Sequence, residues 1–247
     1  MYMVEYDKLF VKIPNNMIRN KYDERGKIIM NSIIKDNGNI ILGIYCCLSR
    51  YKNLENKSRT TLKEMMDELG YKPDRKEGST NSKFIKAYEW LIENELIVHL
   101  KGNHNKINEL LVCEIIEINK EYFELKYKHL DEIKDIYDLV VFCNIVSRLS
   151  KWDFNGEYFY QCFPSVETLV KDTGFSDKTI QRCLKELKEK ELLYYDNVGY
   201  ITDKGTDVCK LSNNVYALNK EDLGKALELS EYYYRSHGFT TTKKNKI

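Results

Sequence analysis

The side chains best suited to chemistry lie in one run, SDKTIQRCLKELKEKE, from Ser176 to Glu191. At 100° per residue, Lys178, Arg182, Lys185 and Glu189 project from one side, with Thr179 and Gln181 on the flanks. Ile180, Leu184 and Leu187 fall opposite them, at i, i+4 and i+7. A guanidinium fork fits the O6 and N7 of guanine, an amide spans the edge of adenine, and an ammonium pairs with phosphate. The chemistry on offer is recognition by hydrogen bonding. The basic groups occupy the N-terminal part, the end of a recognition helix that meets base edges, while Glu186, Glu189 and Glu191 crowd the far end. A plain solvated helix would also carry Lys and Glu, and Lys188 and Lys190 read that way.

The elements around this run favour the DNA reading. Pro164 and Ser165 suit a helix start, with Ser165 as cap. Val166, Leu169, Val170 and Thr173 share one face of the helix that follows, and Gly174 stops it. Ser176 caps the second helix, and LLYY begins a strand. Helix, glycine turn, helix, strand is the order of a winged helix-turn-helix.

The same order is predicted earlier in the chain. TTLKEMMDELG at 60–70 aligns with PSVETLVKDTG, and FIKAYEWLIENELIVHL with TIQRCLKELKEKELLYY once ELI and ELL are matched. CCLSR near residue 48 aligns with NIVSR near 146. The fold class expected is therefore mainly α with small β wings (α+β), as two tandem winged helix-turn-helix domains. The limits read as 1–119 and 120–218, joined near Asn119–Leu130, with a C-terminal helix and basic tail over 219–247. KLFVKIPNNMI reads as a strand entering a Pro-Asn-Asn turn, and Ile28–Tyr51 as largely helical. WDFNGEYF reads as extra length between helices, and TTTKKNKI as a disordered tail.

The first copy differs from the second on the helix that aligns with the reading helix. Ile85, Trp90 and Ile92 replace Gln181, Glu186 and Lys188, and Glu89 stands at the position of Lys185. Lys86 keeps the charge of Arg182, and Lys83 lies one turn before it. The first domain is therefore expected to dimerise through the flank of Ile85 and Ile92, touching DNA with Lys83 and Lys86. The second domain would read sequence with Ser165, Ser176, Lys178, Thr179, Gln181, Arg182 and Lys185. Lys101, Lys106, Lys204 and Lys210 read as wing-tip phosphate contacts, joined by Lys243, Lys244 and Lys246 in the tail.

Composition limits the alternatives. The 247 residues are 43% hydrophobic and 31% charged, which is globular, and the formal net charge is +1, so any attraction to nucleic acid must be local. No G-x-x-x-x-G-K-[ST] phosphate cradle occurs, and the four histidines (99, 104, 129, 237) keep no metal-ligand spacing. His99 reads as structural, His104 as solvated, and Tyr232–Tyr234 as packing rather than nucleophiles. The expectation is a binding protein and not an enzyme, with no catalytic residue, metal, cofactor or small-molecule substrate. Seven cysteines without a C-x-x-C pair, and no signal peptide or 18-residue apolar run, point to a reducing cytoplasm and no membrane partner.

PSVETLVKDTGFSDKTIQRCLKELKEKELL resembles the winged helices of Gram-positive plasmid and phage replication proteins, and also those of bacterial repressors. LFVKIPNNMI, followed by helices and a winged helix, looks like the N-terminal domain of the replication-initiator A family. What the resemblance implies is an origin-binding initiator, dimeric on double-stranded DNA and recruiting host replication proteins. A transcriptional regulator is the alternative of the same class. A tandem winged-helix scaffold in chromosome or plasmid segregation is the alternative of another class, favoured by the near-zero net charge. The enlarged turn YKPDRKEGST departs from a standard helix-turn-helix in the first copy.

Overall fold

The structure, a computed structural model, describes residues 9–74, 76, 79–206 and 208–242. From the N-terminal side the chain runs through β1 (Phe10–Pro14), α1 (Asn15–Ile18), β2 (Lys21–Tyr22), β3 (Ile28–Met30), α2 (Ile33–Asn37) and α3 (Ile40–Arg50). It continues with β4 (Lys57–Thr60), α4 (Leu62–Glu68), α5 (Thr80–Glu93), β5 (Ile97–Lys101), β6 (Leu111–Ile115), β7 (Tyr122–Lys126), α6 (Tyr127–Glu132) and α7 (Ile136–Val146). Then follow β8 (Ser150–Phe154), β9 (Glu157–Gln161), α8 (Val166–Thr173), α9 (Asp177–Glu189) and β10 (Tyr194–Asp196). The last elements are β11 (Tyr200–Asp203), β12 (Cys209–Leu211), β13 (Val215–Ala217), α10 (Lys220–Ser236) and β14 (Phe239–Thr242). Helices with small antiparallel sheets make this an α+β chain.

Two units are distinguished: residues up to Ser147 with Lys171–Gly174, and Arg148–Val170 with the chain from Phe175 onward. The expected joint at 119–130 thus lies inside the first unit. The reason is a long-range pairing. Val11 and Ile13 alternate with Phe10 and Lys12, giving β1 one buried face, and β1 pairs antiparallel with β7 from Phe10↔Lys126 to Pro14↔Tyr122. The supposed linker is therefore a strand. The predicted Pro-Asn-Asn turn is instead the short helix α1, and Ile28–Tyr51 splits into β3, α2 and α3. Helix α7, IYDLVVFCNIV, is apolar nearly all round and buried from Leu139 to Ile145, so it packs as an interior helix of the first unit.

Within that unit β4, β6 and β5 form a sheet in that order, preceded by α3 and interleaved with α4 and α5. Thr61 caps α4 in a capping box, accepting from the Glu64 N–H while the Glu64 carboxylate accepts from the Thr61 N–H. Phe84, Tyr88 and Leu91 turn inward from α5, as their spacing predicts. Between β5 and β6, Gly102 takes φ +99 against the Leu110 carbonyl, where any side chain would collide with backbone.

A polar network lies deep in the first unit. The fully buried Asp172 carboxylate accepts from the Asn20 N–H at 3.1 Å, the Tyr22 hydroxyl at 3.0 Å and the Asn144 amide at 3.4 Å. Asn20 donates to the Lys171 carbonyl and accepts from the Ser32 N–H, while the Ser32 hydroxyl donates to the Asp172 carbonyl. Elsewhere in the first unit, His129 packs edge-on to Phe142, with its Nδ1 buried and unpaired. Burial, helped by Lys128 and Lys126, lowers its pKa to about 4. The unfolded chain binds this proton near 6.5 and the folded one only near 4, so stability should fall as pH drops through that window. Urea unfolding at pH 7 and pH 5 should show a loss that His129→Phe reduces. An equal loss in both proteins would assign the effect to other groups.

In the second unit β8 and β9 form a hairpin around Asn155 (φ 57) and Gly156 (φ 82), a turn that needs φ > 0 twice. WDFNGEYF is thus a hairpin and not mere spacing. Strand β10 pairs with β13 as the wing reading expects, but the connection between them carries β11 and β12. Thr240, Thr241 and Thr242 of the predicted disordered tail, with Phe239 before them, form β14 against β11, giving the order β12-β11-β14. Lys243, Lys244 and Lys246 lie outside the described residues. Phe159, Val215 and Ala226 form a core that Trp152, Phe154 and Leu227 extend. Among the described residues no helix is long and apolar enough to cross a membrane.

Candidate nucleic-acid interface

Ile180, Cys183, Leu184 and Leu187 are buried on one face of α9, and the opposite face is open. Lys178, Gln181, Arg182 and Lys185 are all exposed, with Thr179 half-buried beside them. Spacings of i, i+3, i+4 and i+7 put these four on one side of the helix. Ser176 Oγ accepts from the Thr179 N–H at 3.2 Å, which caps the helix at the end where unpaired N–H groups and the helix dipole favour an anion. Ser165 does the same for α8, accepting from the Thr168 N–H at 3.1 Å. Both serines predicted as DNA contacts are therefore helix caps, Ser165 being half-buried as well. Gly174 (φ +73) makes the left-handed stop after α8.

Two basic groups of this face have acidic neighbours one turn on. Arg182 lies 3.3 Å from Glu186 and Lys185 lies 3.7 Å from Glu189, both exposed i,i+4 pairs. Such pairs are worth about 0.3–0.5 kcal/mol, so they preorient the cations without holding them from a phosphate or base. Lys188 is different. Its ammonium donates to the Tyr195 carbonyl at 2.9 Å and sits over that ring, so it ties α9 to β10.

The other predicted contacts are scattered over loops, strands and one helix. Lys204 is exposed in the β11–β12 connection, while Lys210 lies within β12 and not in a loop tip. In the first unit, Lys101 ends β5 and Lys106 stands in the connection to β6, 3.9 Å from Glu109. Lys83 and Lys86 are exposed on α5, beside a cleft that Trp90 and Tyr137 also line. Ile85 and Ile92 are half-buried, so the apolar flank is less open than its composition predicts.

The histidines and tyrosines sort by surroundings. His99 bridges the Tyr88 hydroxyl (3.0 Å) and the Gly102 carbonyl (2.9 Å), a structural role as read. His104, expected in solvent, instead lies 3.2 Å from Glu89 and packs near Tyr88. The rings of Tyr232, Tyr233 and Tyr234 pack on Phe154, His237 and Phe239, although Tyr232 and Tyr233 stay exposed. Among the described residues no group of three or more His, Cys, Asp or Glu is placed to hold a metal ion.

Residues 152–193, from the β8–β9 hairpin through α9, match the family described as a helix-turn-helix domain. A helix-turn-helix domain is present. Comparison of the whole chain with curated proteins gives no match. The helix-turn-helix points to DNA as the partner, and α9 is its second helix. Its exposed basic face and capped N-terminus have the chemistry that major-groove docking needs.

The two aligned segments end alike. Glu95 (φ 55) and Glu191 (φ 56) each take the left-handed conformation after their helix. Their N–H groups bond Ile92 and Lys188 carbonyls at 3.0 Å, and the next residue bonds Leu91 or Leu187 at 3.0 Å. ELI and ELL are thus the same helix-to-strand turn.

Proposed function

We propose that this protein is a sequence-specific double-stranded DNA-binding protein built from two tandem winged helices, acting as a plasmid or phage replication initiator. The observation that carries the reading is the α9 face: Lys178, Gln181, Arg182 and Lys185 exposed together within a helix-turn-helix match. The equivalent turns after α5 and α9, and the order α3–β4–α4–α5–β5–β6, support a first winged helix beside the second. The initiator role is supported by the resemblance of LFVKIPNNMI, which forms β1 and α1, and it entails host replication proteins as partners.

Fluorescence anisotropy with the gene's own upstream DNA at two salt concentrations tests the binding. Several phosphate contacts should make affinity fall steeply with salt. Salt-independent or absent binding would return the protein to the interaction-scaffold class. Repeated sites within an adjoining origin would separate initiator from regulator.

Dimerisation through the α5 flank completes the reading, since two subunits match two half-sites. Ile85→Glu with Ile92→Glu should give a folded monomer with weakened DNA binding, measured by sedimentation and gel shift. Wild-type protein sedimenting as a monomer even on its DNA site would end the idea.

A further inference from the structure

Trp152, Phe163, Tyr233 and Tyr234 line a cavity of about 350 Å³ in the second unit, at the small end of ligand-site volumes. Trp152 and Phe163 meet at 6.1 Å with their planes 60° apart. The Trp152 indole N–H is taken by the Ser150 hydroxyl at 2.8 Å, so what Trp152 offers a ligand is ring surface. Two amides, Gln161 and Asn213, also line the cavity, and among the described residues no charged side chain does. Gln161 is 2% exposed, and its side-chain oxygen is buried with no hydrogen-bond partner. A buried acceptor left unpaired is unfavourable, and a ligand bringing a donor relieves it. The terminal torsion of glutamine is soft, so the amide can turn its edge toward the cavity.

We propose that this cavity binds a neutral purine-type ring. A glutamine amide pairs in both directions with the amino donor and ring acceptor of an adenine edge. Aromatic side chains supply stacking that any base accepts. The uncharged lining offers nothing to neutralise a phosphate, which favours a base or nucleoside over a nucleotide. Two sources share this chemistry: a free nucleoside and an unstacked base of a nucleic-acid strand. The cavity's lining residues lie outside α9.

Isothermal titration calorimetry of the full chain with adenosine, purine riboside and single-stranded oligo-dA tests it. Adenosine should bind at least about tenfold more tightly than purine riboside, which lacks the amino donor. Gln161→Leu should erase that preference, and Ser230→Trp, at another lining position, should abolish binding of both. Thermal unfolding of each variant checks that the fold is intact. Oligo-dA binding more tightly than adenosine, and lost in Ser230→Trp, would support the purine site with a strand as its source. Equal affinity of wild-type protein for adenosine and purine riboside, or no binding of either at millimolar concentration, would overturn the proposal. A cavity that holds only water gives the second result.

Discussion

Asp172→Ala is expected to lower the free energy of unfolding by about 3 kcal/mol. The carboxylate accepts from Asn20, Tyr22 and Asn144, and all of these bonds are buried or half-buried. Truncation removes every acceptor at once and leaves the donors facing a void. Water cannot readily replace the oxygens, because Asp172 and Asn144 are fully buried. Asp172→Asn keeps the shape and one acceptor and should cost less. Urea unfolding measures both; a loss below about 1 kcal/mol in the alanine variant would mean the network is not a keystone of the first unit. Lys171–Gly174 is grouped with that unit, so the damage should appear in its unfolding and not only at the helix-turn-helix.

Arg182→Ala is expected to cost about 1–3 kcal/mol at the cognate site and to relax the choice of base there. Arg182 is exposed on the N-terminal half of α9, and its pair with Glu186 is a surface pair that a guanine edge can displace. Lys185→Ala should instead weaken binding to all sequences alike and lower the salt dependence, as loss of a phosphate contact does. Anisotropy titrations with the cognate site and single-base variants distinguish the two. Unchanged specificity in Arg182→Ala would remove the direct-readout role.

The parts legible in the sequence were those with local causes. Helix α9 follows from a 3.6 period and a serine cap, and the exposure of its basic face follows from the same period. The stops at Gly70 and Gly174 follow from glycine's access to positive φ. The β8–β9 hairpin was also local: Asn155-Gly156 is its signal, masked by alignment to a copy that lacks it. What escaped reading depends on distant partners. Nothing in NKEYFELK announces that Phe123 and Leu125 face Ile13 and Val11, and nothing in TTT announces β11. Asp172 looks like any helical aspartate, yet it is held by residues about 150 positions away. Ser165 and Ser176 cap α8 and α9, as their positions before the two helices predict.

The cysteines have a practical consequence. Six of the seven are buried and Cys209, in β12, is exposed. Burial pushes the Cys113 thiol up to about 11 and Cys162 up to about 12, and it raises Cys46, Cys47 and Cys143 as well. Thiol-directed reagents are electrophiles attacked by the thiolate, which these buried sites scarcely form and do not expose. A maleimide dye applied to the native chain should therefore settle on Cys209, beside Lys210. The protein carries its own single attachment point for a fluorescent reporter, on a strand between the helix-turn-helix and α10, with no engineered cysteine required.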